Sequence, residues 1–125
     1  MGIFGELFGL GSKIDKKKLR EEFEPILVEG EQIENAFKVL RDLMVFTNKR
    51  LVLVNKQGMT AKKRNYLTIP YQSITKFAKE SLGHFDKDAE LKLWVRGERE
   101  PIIYEFSKDE SVHEVYRVLG KYILI

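Results

Sequence analysis

The chain has no cysteine, which removes disulfides and thiol chemistry from consideration. Long apolar runs are also missing. The longest, such as "LMVF" at 43–46 and "LVLV" at 51–54, fall far short of the roughly 20 residues that a membrane helix needs. A cytoplasmic location is expected. Histidine is scarce: His84 and His113 are far apart, so no paired metal-ligand motif is formed. Asp86, Asp88 and Glu90 are spaced like the start of a calcium loop. However, Leu91 stands where that loop needs glycine, and no glutamate closes it, so a solvated turn is the simpler reading. No Ser–His–acid set and no glycine-rich phosphate loop occurs, so no enzyme and no cofactor are expected.

What is present describes an ordinary globular chain. Its 125 residues, 43% hydrophobic and 33% charged, fit one domain. The net charge of +3 hides an asymmetry: residues 31–80 hold ten Lys/Arg against four acids. Solvated lysines on strand rims are the simpler account of this, and a basic face for anionic partners is the alternative. The start, "MGIFGELFGLGS", lacks the basic region of a signal peptide, and Glu6 stands where a myristoylation motif wants Ser or Thr. Ile3, Phe4, Leu7 and Phe8 would share one helical face that has to be buried somewhere, and protein contact suits it better than lipid. Ser12 and Asp15 then predict a helix start. Leu19 and Phe23 lie one turn apart, and Glu24-Pro25 ends the helix.

After Gly30 the apolar period changes to two. Seven strands are predicted, at Ile33–Val39, "LMVF", "RLVLVN", "NYLTIP", "ITKFAK", Leu91–Val95 and "IIYEF". "ITKFAK" alternates poorly, as at a bulge or an edge. Ser107 and Glu110 form a capping box for a final helix with Val112, Val115, Tyr116 and Leu119 on one face, and Gly120 is a natural stop. Strands followed by one amphipathic helix imply a bent antiparallel sheet or barrel plugged by that helix. The polar break Thr47-Asn48-Lys49-Arg50 is either a tight hairpin or a phosphate-gripping loop. The flanking strands favour the hairpin, with Asn48 suited to left-handed backbone.

The blocks "EGE", "RDLMVFTNKRLVLV", "KQG", "IPYQSI", "DKDAELKLWV" and "EFSKDESVHEVYRVL" resemble the bacterial pleckstrin-homology-like domain family over about residues 25–121. "TNKRL" and "IPYQSI" are the most specific of them. The resemblance implies a mainly β, seven-stranded, two-sheet antiparallel barrel over 25–125, capped by the C-terminal helix, with residues 1–24 as a helical extension. It further implies no enzymatic activity and a tendency towards ring-like homo-oligomers. In the wider superfold, phosphoinositides, peptides or proteins are bound, so the fold alone does not fix a function.

Two functional readings stay open. In the first, apolar ends (Ile3, Phe4, Leu7, Phe8 and Tyr122, Ile123, Leu124, Ile125) join copies into a homo-oligomeric scaffold, with sheet edges as a second route. The alternative is that the N-terminal segment folds back on its own domain. In the second reading, Lys38, Arg41, Lys62, Lys63 and Arg64 line one end of the barrel. There they would meet an anionic lipid headgroup or an acidic protein partner. The phosphoinositide motif itself is not reproduced, which leaves membrane contact the weaker form of this reading. Nucleic acid is not an expected partner, because Tyr66, Tyr71 and Phe77 have the spacing of strand residues rather than of a stacking platform.

Overall fold

The computed structural model describes residues 2–10, 14–58, 62–81, 83, 87–107 and 112–124, with backbone alone for 6–10, 87 and 88. Its elements run β1 (Phe4–Leu10), α1 (Lys16–Phe23), β2 (Ile33–Val39), β3 (Asp42–Thr47), β4 (Arg50–Gln57), β5 (Lys63–Pro70), β6 (Ile74–Ser81), β7 (Lys87–Val95), β8 (Ile102–Ser107) and α2 (Val112–Ile123). They form two compact units, Met1–Thr68 and Ile69–Ile125. The first holds a five-stranded sheet in the order β1-β2-β3-β4-β5, and the second a three-stranded sheet in the order β6-β7-β8.

Alternation builds the first unit. Ala36, Leu43, Val45, Val52 and Val54 share one face of the sheet, and α1 lays Leu19 and Phe23 upon it. Phe37, Met44, Phe46, Leu51 and Leu53 point to the other face and are also buried. Two buried faces explain why β3 and β4 read as apolar runs rather than as strict alternation. Helix α1 starts where Asp15 accepts hydrogen bonds from the backbone N–H groups of Lys17 (2.9 Å) and Lys18 (3.4 Å). Asp15 is thus the N-cap, and the expected cap Ser12 lies outside the described residues. Glu24-Pro25 ends the helix as expected.

The N-terminal segment corrects the sequence reading. Residues 4–10 form a strand, not a helix, and β1 runs parallel to β2 with Phe4 opposite Ile33 and Gly9 opposite Asn35. Glycines at 2, 5 and 9 weaken any helix there, and the free edge of β2 offers backbone partners instead. The N–H of Ile33 donates to the carbonyl of Ile3 at 2.7 Å. At Gly5 a Cβ would sit 2.8 Å from the Gln32 side-chain oxygen, so this close approach requires glycine. The described strands therefore number eight rather than seven; their two sheets agree with the resemblance, but they do not make one closed barrel.

In the second unit, β6 is an edge strand whose register shifts between Ile74 and Lys76, which matches its irregular alternation. Helix α2 buries Val112, Val115 and Leu119, and Phe77 meets Tyr116 edge-on at 5.3 Å. Gly120 does not stop this helix, which continues to Ile123. Tyr122 stacks on Tyr71 at 4.7 Å, and the N–H of Leu124 still donates to the carbonyl of Gly120. Tertiary packing therefore outweighs the glycine penalty of about 1 kcal/mol. Glu110 of the expected capping box lies outside the described residues.

Candidate functional site

The two polar sequence blocks that flank β2 and β3 converge into a single cluster. Glu31 is buried and takes both ends of a fork from Arg50. Its Oε2 accepts from Arg50 Nε at 2.7 Å and its Oε1 from Arg50 Nη2 at 2.9 Å. The Thr47 hydroxyl donates to Oε2 at 2.6 Å, and the Val28 N–H donates to Oε1 at 3.1 Å. Arg50 also donates to the carbonyl of Ile26 and to the hydroxyl of Thr68, so it ties the chain before β2 to β5. Burial alone would push the Glu31 carboxyl up. The hydrogen bonds from Arg50, Thr47 and Val28, together with the Arg50 charge, outweigh this and hold its pKa below the usual carboxylate range.

Asn48 completes this clasp by a route other than the expected one. It is not left-handed. Its side-chain oxygen accepts from the N–H of Gln32 at 2.8 Å, and its amide donates to the carbonyl of Gly30 at 3.0 Å. Among the described non-glycine residues, Leu40 alone has positive φ (57°), in the turn between β2 and β3. Thr47–Arg50 is thus a hairpin whose polar groups are taken up in holding the fold.

The far ends of the same strands differ. A cleft of about 770 Å³ opens between α1 and the sheet, with Lys18, Lys38, Lys56, Arg64, Glu22 and Tyr66 among its lining residues. Of the expected cationic set, the fold brings together Lys38 and Arg64 here. Arg41 instead donates to the carbonyl of Gly58 at 2.6 Å, and Lys62 and Lys63 are exposed outside the cleft lining. Lys56 was not singled out from sequence. The signal was its two-residue step from Val54, which puts it on the α1 face of the sheet. Glu22 accepts from Arg64 Nη1 and from the Tyr66 hydroxyl, both at 2.6 Å. Burial, and then the Glu22 carboxylate, push the Tyr66 phenol up, while the bond to Glu22 raises Arg64 further. Burial lowers the Lys56 ammonium, and the positive charges of Arg64 and Lys38 lower it further, against a weaker pull from Glu22 and Asp42.

Comparison with known proteins places this geometry. The family model described as "Bacterial PH domain" matches residues 2–123. The chain is a bacterial pleckstrin-homology domain. It is 48% identical over 121 residues to the uncharacterized protein YjqA of Bacillus subtilis, covering 96% of this chain and 97% of that one. A solved pleckstrin homology domain from Shewanella amazonensis has a TM-score of 0.81 at 45% identity, covering 91% of this chain and 92% of that chain. A second, from a Shewanella loihica protein, has a TM-score of 0.75 at 42% identity, covering 88% and 94%. The fold is accordingly the mainly β pleckstrin-homology type, with two sheets and a C-terminal helix.

On this bacterial pleckstrin-homology frame the apolar ends are partly spent within the chain. Ile3 and Phe4 pack against the core of the first unit, and the Phe4 ring lies beneath Lys16 and Arg20. The Leu7 and Phe8 side chains and Ile125 lie outside the described residues. Tyr122 and Ile123 are half-buried, whereas Leu124 is 72% exposed. Among the described residues, no group of three His, Cys, Asp or Glu converges as metal ligands. His113 Nδ1 lies 3.1 Å from Lys79 Nζ, while His84 and Asp86 lie outside the described residues. No described helix is long and apolar enough to cross a membrane.

Proposed function

We propose that the chain is a non-catalytic cytoplasmic module that assembles with copies of itself through the edges of its five-stranded sheet. The observation that supports this reading is β5. It is the outermost strand of that sheet, and seven of its eight residues are exposed. A long exposed edge carries backbone N–H and C=O groups ready to pair with another strand. Leu67, 41% exposed on this strand, adds apolar area beside them. Pairing β5 with β5 would give an isologous dimer. Pairing β5 with the β1 edge of the next copy would run head to tail, as a ring requires.

Absolute mass by light scattering tests this, with the intact chain and the double variant Asn65→Lys, Leu67→Lys. Both residues are exposed, so the added charges leave the fold intact, as circular dichroism will confirm. The intact chain is expected to be an oligomer and the variant a monomer. A monomeric intact chain sinks the reading. Removing residues 1–11 is the poorer test, because it deletes β1 from the sheet.

A further inference from the structure

Side-chain ties, more than burial, hold strand β5. Seven of its eight residues are exposed, so the strand gains little from packing. Two ties reach it from other elements. Near its start, one carboxylate oxygen of Glu22, on α1, accepts from Arg64 Nη1 and from the Tyr66 hydroxyl, both at 2.6 Å. Nearer its end, Arg50 donates to the Thr68 hydroxyl at 2.8 Å. Arg64 and Tyr66 are alternate residues and leave the same face of the strand. The Tyr66 ring also meets Phe23 of α1 edge-on, with ring centroids 6.3 Å apart. Lys63, Asn65 and Leu67 leave the opposite face, and all three are exposed. One face of β5 is therefore tied to α1, while its outer backbone edge borders no other strand of the sheet.

We propose that Glu22 is a positioning residue for self-assembly at this edge, a role that rests on the assembly reading above. It holds β5 ordered and extended, ready for a strand of a second copy. Ordering entropy is the reason. An edge strand with little burial frays, and every residue that association must first order lowers the affinity. Glu22 completes that ordering before the partner arrives. Its own position is fixed, because Leu19 and Phe23 bury the inner side of α1. Helix α1 thus governs an edge of which it forms no part. Folding and assembly respond differently to the loss of Glu22. The native state escapes most of that loss by letting the start of β5 loosen, so global unfolding registers little of it. Assembly needs the strand ordered in every copy and registers the whole.

Light scattering over a dilution series tests the proposal. Four proteins are compared: the intact chain, Glu22→Gln, Arg64→Gln/Tyr66→Phe, and the control Glu21→Gln, an exposed neighbour on α1. Self-association is expected to weaken by about tenfold or more in the first two variants and to hold in the control. Hydrogen exchange in Glu22→Gln is expected to quicken at the β5 amides and stay slow in β3 and β4, which a general loss of stability would not produce. Should Glu22→Gln fail to fold, the Arg64→Gln/Tyr66→Phe protein carries the same comparison. Suppose the intact chain is an oligomer and Asn65→Lys/Leu67→Lys a monomer, while Glu22→Gln associates as tightly as the intact chain. The role of Glu22 is then overturned and the assembly reading stands. Equal weakening in Glu21→Gln also overturns it, in favour of a general charge effect. A monomeric intact chain overturns both.

Discussion

The two ends of the β3–β4 ribbon carry similar basic residues and use them in opposite ways. At the Thr47–Arg50 end, Arg50 makes contacts with Glu31, Ile26 and Thr68, and its partner carboxylate is fully buried. At the other end, Lys38 and Lys56 project into an open cleft with no carboxylate of the described residues paired to them. The Thr47–Arg50 block, which looks like a basic loop in sequence, thus spends its Thr47, Asn48 and Arg50 side chains on the fold.

Removing Glu31 should produce the largest effect. Glu31→Ala leaves the Arg50 guanidinium without its carboxylate and strips acceptors from Thr47 and the Val28 N–H. A loss of about 3 kcal/mol in urea unfolding is expected. Acid makes the same point without truncation. The folded pKa of Glu31 lies below its unfolded value, so its contribution is complete above the unfolded pKa of about 4.3 and is lost as pH falls through the folded pKa. The stability gap between the intact chain and Glu31→Gln should therefore narrow steadily in acid. A gap that stays constant with pH would mean that the clasp does not depend on the charge of Glu31.

Asn48→Ala should come next, at about 1–2 kcal/mol, because it leaves the Gln32 N–H and the Gly30 carbonyl without their side-chain partner. Its expected role from sequence was different, and the reason is physical. Local backbone preference is written in a residue and its neighbours, whereas the donor and acceptor that Asn48 meets lie 16 and 18 positions away. Strands β2–β8 were legible as short apolar or alternating runs set between turn residues, although β3 and β4 bury both faces and β5 is almost wholly exposed. The Glu31–Arg50 pair was not, since nothing in a single sequence couples residues 19 apart. β1 was missed for a related reason: its glycines carry no period, and its partner strand begins 29 residues after Phe4. In the cleft, Lys38 and Arg64 were named because they flank turns, while Lys56 looked like one more rim lysine. Its two-residue step from Val54 places it on the same face as that residue, but nothing local in the sequence says that α1 covers that face.

At the cleft end, the turn between β2 and β3 tolerates strain that the clasp end lacks. Leu40 has a φ of 57° and is 65% exposed, so its side chain gains little from burial while its backbone sits where Cβ crowds the following carbonyl. Leu40→Gly should stabilise the protein by about 1 kcal/mol, less the backbone freedom that glycine gives the unfolded chain. Thermal unfolding checks this. A loss of more than about 1 kcal/mol would show that the Leu40 side chain holds the turn, so that both ends of the ribbon would spend their residues on the fold.

The smallest change bears most directly on the contrast. Glu22 takes Arg64 and the Tyr66 hydroxyl with its own side chain 12% exposed, whereas the Arg64 side chain is 36% exposed. Solvent screening limits such a pair, so Glu22→Gln should cost about 0.5 kcal/mol, far less than Glu31→Ala. Its effect on the cleft should run the other way. Removing one negative charge beside Lys38, Lys56 and Arg64 raises the local positive potential, so the already lowered Lys56 ammonium should titrate lower still in the variant. The Tyr66 phenol, held up by burial and then by Glu22, should titrate lower in the same variant by ultraviolet absorbance. If Glu22→Gln instead unfolds the protein as readily as Glu31→Ala, the Arg64 contact is a second clasp and the two ends of the ribbon do not differ in kind.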